Sequence, residues 1–115
     1  MMGAPVLTVI MNTGDNVNRL TFSQECIHLG KHPDNEICTG GHSSRVSRNH
    51  AALSWDGVRW LVRDLNSRYG TYVSDRPVEG DATLEVRSGD RIRLGDVELE
   101  VRYESQHPTS REEFQ

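Results

Sequence analysis

Apolar residues recur at every second position in short stretches separated by turn-forming residues, and the 3.6-residue period of an amphipathic helix is nearly absent. This pattern predicts an antiparallel all-β fold in which each strand buries alternate side chains. Residues 6–11 read as a first strand, and residues 19–22 and 26–29 follow it after a break at Asn12-Thr13-Gly14-Asp15-Asn16. The short loops there suggest a meander. Asp56-Gly57 stands between Ala51-Ala52-Leu53-Ser54-Trp55 and Val58-Arg59-Trp60-Leu61-Val62-Arg63. Asp-Gly suits the positive φ of a tight hairpin turn, and a two-residue turn would set Trp55 near Val58. A second hairpin runs from Arg91-Ile92-Arg93-Leu94 through Gly95-Asp96 into residues 97–103, with Ile92, Leu94, Val97, Leu99 and Val101 facing inward.

Three stretches do not read as strands: residues 31–35, with Pro33-Asp34-Asn35 as turn chemistry, residues 39–49, rich in Gly and Ser, and residues 66–70. Residues 1–104 are expected to form one domain, since 115 residues leave no room for a second core. Residues 105–115 are polar and unpatterned, which suggests a flexible tail or linker and a place in a larger multidomain chain.

Composition narrows the partners. A net charge of -4 disfavours duplex nucleic acid and anionic lipid as the main ligand. Residues 28–50 nevertheless carry Lys31, Arg45 and Arg48 against Asp34 and Glu36, so a local basic site survives in an acidic chain. Cys26 and Cys38 are too few for a disulfide scaffold and sit in or beside apolar stretches, where a reduced thiol behaves as a small hydrophobe. With no apolar run of membrane-spanning length and no signal-peptide pattern, a soluble, cytoplasmic protein is expected.

The non-strand stretches share a chemistry: Lys31 and His32 in the first, Ser43, Ser44, Arg45, Ser47, Arg48 and His50 in and beside the second, Asn66, Ser67 and Arg68 in the third. Brought to one end of a sandwich, these cations and hydroxyls would meet a phosphate dianion with several charge-assisted hydrogen bonds. The order Gly30-Lys31, Asp34-Asn35-Glu36-Ile37, Ser47-Arg48-Asn49-His50-Ala51, residues 64–71 (Asp-Leu-Asn-Ser-Arg-Tyr-Gly-Thr) and residues 89–95 (Gly-Asp-Arg-Ile-Arg-Leu-Gly) resembles the forkhead-associated (FHA) domain.

That resemblance implies an FHA/SMAD-like β-sandwich of about eleven strands that binds phosphothreonine peptides through its loops and catalyses nothing. It implies phosphate contacts from Lys31, Ser47, Arg48 and Arg68 and peptide contacts from Asn66, Ser67 and Tyr69. Gly30, His50, Gly70 and Thr71 fall on positions that shape the loops, with His50 as an internal hydrogen-bond bracket. The implied partner is a protein modified by a Ser/Thr kinase, with no cofactor, nucleic acid or membrane involved. Lys31 stands where the family usually has Arg, and loses the planar fork. Tyr69 stands where it usually has an Asn that bonds the peptide main chain. Both departures point to micromolar or poorer affinity, about 8 kcal/mol or less.

Rival readings are weaker. His28, His32, His42 and His50 invite a metal, but neither cysteine belongs to a Cys-x-x-Cys pair, and Gly30 and Pro33 deny the helix that would align His28 with His32. Ser44 near His50 lacks a group to orient the base, and no nucleophile-elbow or phosphate-binding-loop motif is present. Trp55 and Trp60 could form a nucleic-acid or sugar platform, but packing on or dressing the sheet fits their spacing better. An alternative from another class keeps the FHA fold, drops the phosphate and uses a sheet face for interaction or dimerisation. Thr109, in Pro108-Thr109-Ser110, reads as an inert tail residue before an internal ligand.

Overall fold

The computed structural model describes residues 4–13, 16–42 and 44–104. It contains β1 (Leu7–Thr13), β2 (Asn16–Phe22), β3 (Cys26–Gly30), β4 (Ile37–Cys38), β5 (Ala51–Trp55), β6 (Trp60–Asp64), β7 (Thr71–Val73), β8 (Arg76–Pro77), β9 (Thr83–Val86), β10 (Arg91–Leu94) and β11 (Val97–Arg102), with one 3-10 turn at Gly40–His42. The strands form two sheets, ordered β2-β1-β11-β10-β7-β8 and β4-β3-β5-β6-β9.

Alternation explains the layers. In β1, Leu7, Val9 and Met11 are buried, and across the register Val9 meets Val101 and Met11 meets Leu99 of β11. Ile92, Leu94, Val97, Leu99 and Val101 all face the core, as their alternation requires. The opposing sheet contributes Ile27, Leu29, Leu53, Val62 and Val86. At about 25 cal/mol per Å2 of apolar surface removed from water, this double layer is the main driving force for folding. The Gly95-Asp96 turn joins Leu94 to Val97 directly, with Gly95 at φ 60, as a two-residue hairpin turn demands.

Four local expectations are corrected. The meander ends after β2, because β3 leaves for the other sheet and pairs with β4 and β5. Ile27 and Leu29 need a buried face, whereas β2 is exposed along most of its length and closes the sheet as an edge. The Asp56-Gly57 hairpin is longer than two residues: Asp56 Oδ1 accepts from the Val58 and Arg59 N–H groups at 2.9 and 2.8 Å, and Trp55 pairs with Trp60. The two indoles therefore share the core-facing side with Leu53 and Val62. Their ring centroids lie 5.7 Å apart and Trp60 is fully buried. Lastly, β4 runs parallel to β3, the one parallel pairing among the described strands. Cys26 also departs from the apolar reading, standing exposed on the outer face of β3.

Candidate functional site

Three connections converge at one end of the sandwich: residues 31–36 between β3 and β4, residues 44–50 before β5, and residues 65–70 between β6 and β7. Backbone hydrogen bonds lock the first two together, Lys31 N to Ser47 O at 2.9 Å and His32 N to Arg48 O at 3.1 Å. Gly30 permits the approach, because a Cβ there would overlap the Arg48 carbonyl. The buried Asn35 adds a brace, donating from Nδ2 to Arg48 O at 2.7 Å and to His32 O at 2.9 Å. The sequence marks Asn35 as turn chemistry and as part of the family motif, but its bracing role was not foreseen, since a cross-loop donor has no local signature.

The third connection joins through Ser47, whose Oγ accepts the Arg68 N–H at 3.1 Å. A hydroxyl that accepts one bond keeps its own proton to donate. His50, wholly buried, closes the ring. Its Nδ1 accepts the Ser47 N–H at 3.0 Å, so the proton sits on Nε2, which donates to Gly70 O at 2.8 Å. Burial depresses the His50 pKa below 6.5, against the opposing pull of the Gly70 carbonyl and the Asp64 charge, and favours the neutral ring this pattern needs.

Asp64, on the core-facing side of β6, organises the third connection. Its Oδ1 accepts from Ser67 Oγ and Thr71 Oγ1, each at 2.6 Å, and its Oδ2 accepts the Ser67 N–H at 2.9 Å. Burial alone would raise its pKa, but the bonds from Ser67 and Thr71, with His50 nearby, bring it below 3.8. Ser67 Oγ accepts the Gly70 N–H at 3.0 Å in turn, which engages that hydroxyl within the loop. Asn66 at φ 59 and Gly70 at φ 92 take the left-handed conformations that turn the chain between them.

The outcome places Lys31 half-buried, Ser47 half-buried, and Arg48, Asn66, Arg68 and Tyr69 exposed around one seam. The Arg45 and Arg68 guanidinium carbons lie 5.6 and 5.7 Å from the Tyr69 ring centroid. The neighbouring carboxylate of Glu36 turns away to β3, where it accepts the His28 N–H at 2.6 Å, a bond that lowers its pKa. Among the described residues no group of three or more His, Cys, Asp or Glu side chains is placed to hold a metal ion. No described helix is long and apolar enough to cross a membrane. Ser43 and Thr109 lie outside the described residues.

Comparison with known proteins agrees with this architecture. The chain is 46% identical over 57 residues to the FHA domain-containing protein FhaA of Mycobacterium tuberculosis, covering 50% of this chain and 10% of that protein. It is 30% identical over 92 residues to the glycogen accumulation regulator GarA of Mycolicibacterium smegmatis, covering 79% of this chain and 55% of that protein. It thus spans between a tenth and about half of these relatives. A structure described as a structural and functional analysis of phosphothreonine-dependent FHA domain interactions superposes with a TM-score of 0.72 at 31% identity, over 90% of this chain and 98% of that one. The FhaA FHA domain, solved in complex with the intracellular domain of Rv3910, superposes at 0.71 and 31% identity over 84% of this chain and 99% of that one. The family profile described as FHA domain matches residues 27–95, more than half of the chain, and with the two-sheet fold it establishes that this chain belongs to the FHA-domain family.

Proposed function

We propose that the chain is a phosphothreonine-peptide recognition module that docks a protein phosphorylated by a Ser/Thr kinase and leaves it chemically unchanged. The observation that carries this reading is the Ser47 junction, where one residue takes the Lys31 N–H on its carbonyl and the Arg68 N–H on its hydroxyl. An ammonium, a guanidinium and a hydroxyl on such adjoining backbone form the donor set a phosphate dianion requires. Lys31, Ser47, Arg48 and Arg68 are assigned to the phosphate, and Asn66 and Tyr69 to the peptide. Ser67 acts on the peptide through the loop it braces. Gly30, His50, Gly70 and Thr71 hold the loops in place.

The relative studied for phosphothreonine-dependent interactions favours this over a phosphate-independent use of the fold. A cytoplasmic adaptor within a longer chain, acting without a cofactor, is the setting that fits. The test is a calorimetric titration with matched peptides carrying phosphothreonine, phosphoserine or threonine. Binding of the phosphothreonine peptide alone, or by a wide margin, supports the reading, and equal affinity for all three overturns it.

A further inference from the structure

We infer that the free edge of β2 is a self-association surface, where a second copy of this chain adds its own β2 in antiparallel register and joins the two β2-bearing sheets into one continuous sheet. The inference is independent of the phosphopeptide reading and gives each dimer two candidate phosphate seams.

An edge strand presents a row of backbone N–H and C=O groups that invites another strand, and folds ordinarily blunt such edges by shortness, proline or charge. Three of the four sheet edges here are blunted. The edge strands β4 and β8 have two residues each, β8 ends in Pro77, and β9 has four residues. By contrast β2 has seven, all in register with β1, with no Pro or Gly among them and Arg19 as the one charged side chain. Among the described residues nothing but β1 hydrogen-bonds its backbone.

The core is also unfinished along this margin. Asn18, Leu20 and Phe22 lie on the core side of β2, opposite the buried Met11, Val9 and Leu7. Leu20 and Phe22 pack on the core yet stay partly exposed, and Val17 on the outer side is 66% exposed. A peptide of arbitrary sequence would satisfy only the backbone. A second copy also brings a matching Leu20 and Phe22 to the same face by symmetry.

Symmetry and the two-residue period of a strand select the register. Two identical antiparallel strands keep their core sides together only when the two-fold axis passes through a residue, and axes through Asn18, Arg19 or Leu20 pair most of β2. An axis through Arg19 sets this side chain against its own copy, which like charge disfavours. An axis through Asn18 sets two amides face to face on the core side and Leu20 against Asn16. An axis through Leu20 sets Leu20 against Leu20, Phe22 against Asn18 and Arg19 against Thr21, so the apolar margin runs on across the join and the arginines are staggered. One strand pair buries less than the roughly 1,200 Å2 of a standard interface, so association is weak and depends on concentration.

The experiment is sedimentation equilibrium of the whole chain from about 10 μM to about 1 mM, where the weight-average mass should climb from that of one chain towards that of two. Thr21 is exposed on the outer side, so its variants probe the register without disturbing the core. Thr21→Glu sets a carboxylate opposite Arg19 twice per dimer and should tighten association by about two- to thirtyfold, and Thr21→Lys should weaken it by a similar factor. Leu20→Lys brings two ammonium groups together on the axis and should leave a monomer throughout, with thermal unfolding run to verify the fold; if this variant unfolds, the two Thr21 substitutions decide alone. Outward amides of residues 18–22 should exchange more slowly as concentration rises. A chain that stays monomeric at about 1 mM overturns the inference, whether its β2 amides exchange fast, as on an open edge, or slowly, as on an edge held by another segment of the chain. A dimer that ignores both Thr21 substitutions uses a different surface and overturns it equally.

Discussion

The imidazole of His50 donates to the Gly70 carbonyl at 2.8 Å and accepts from the Ser47 amide at 3.0 Å, so one buried ring spans two of the three connections that make the site. Replacement His50→Ala leaves a cavity, an unsatisfied amide and an unsatisfied carbonyl. Unfolding free energy in urea should fall by about 3 kcal/mol. Phosphopeptide affinity should fall with it, because Ser47 and Arg68 lose their relative placement.

The same ring predicts a pH dependence. Its folded pKa lies below the ordinary 6.5, so on acidification the unfolded chain takes up the proton first. The His50 contribution is therefore intact above pH 6.5 and is lost as pH falls below it towards the folded value, with a slope of at most about 1.4 kcal/mol per pH unit. Asp64 adds a separate loss below its ordinary value of 3.8, since its folded pKa is also depressed. Urea unfolding across this range should show both components, with the upper one absent in His50→Ala. An unaltered profile in that variant between neutral and mildly acidic pH would refute the assignment.

Ser47→Ala removes the proposed phosphate donor and the acceptor of the Arg68 amide in one step. The loss of a charge-assisted bond, about 1.5 to 3 kcal/mol, corresponds to a drop in phosphopeptide affinity of roughly 10- to 150-fold by calorimetry. Lys31→Arg should tighten binding several-fold, because a planar fork grips two phosphate oxygens where an ammonium presents a point charge. Weaker binding by Lys31→Arg would mean that the half-buried Lys31 site has no room for the fork.

Gly30→Ala tests the contact between the first two connections. The new Cβ would overlap the Arg48 carbonyl, a backbone atom that moves only if the loop moves. Destabilisation of about 2 kcal/mol or more is expected. Amide resonances of Lys31, His32 and Ser47 should shift together in heteronuclear NMR spectra, since their loops share the Lys31–Ser47 and His32–Arg48 bonds.

Much of the fold was legible because its cause is local. Alternation in residues 91–102 dictates which side chains enter the core, and Gly95-Asp96 dictates the turn between the strands. The Trp55–Trp60 pairing was not legible, because Asp56 closes a longer loop by accepting two amides and this geometry competes with the tight turn that Asp-Gly also allows. The departure of β3 was equally hidden. Its alternation requires a buried face but leaves open which sheet supplies it.

The candidate site divides along the same line. Its ingredients, a lysine, arginines and serines in segments that cannot be strands, were determined by the order of residues, together with the family resemblance that order carries. Their conjunction was decided only by tertiary structure: Lys31, Ser47 and Arg68 become neighbours through bonds spanning 16 and 21 residues of chain. The place of Arg45 over the Tyr69 ring was decided there as well, since its loop packs its carbonyl against Gly95, a residue of the other sheet's β10–β11 turn. Local pattern specifies what each segment contributes and which face it buries. Close packing of two sheets specifies which segments meet, because hydrogen bonds and ring contacts act only over a few ångströms and do not depend on distance along the chain.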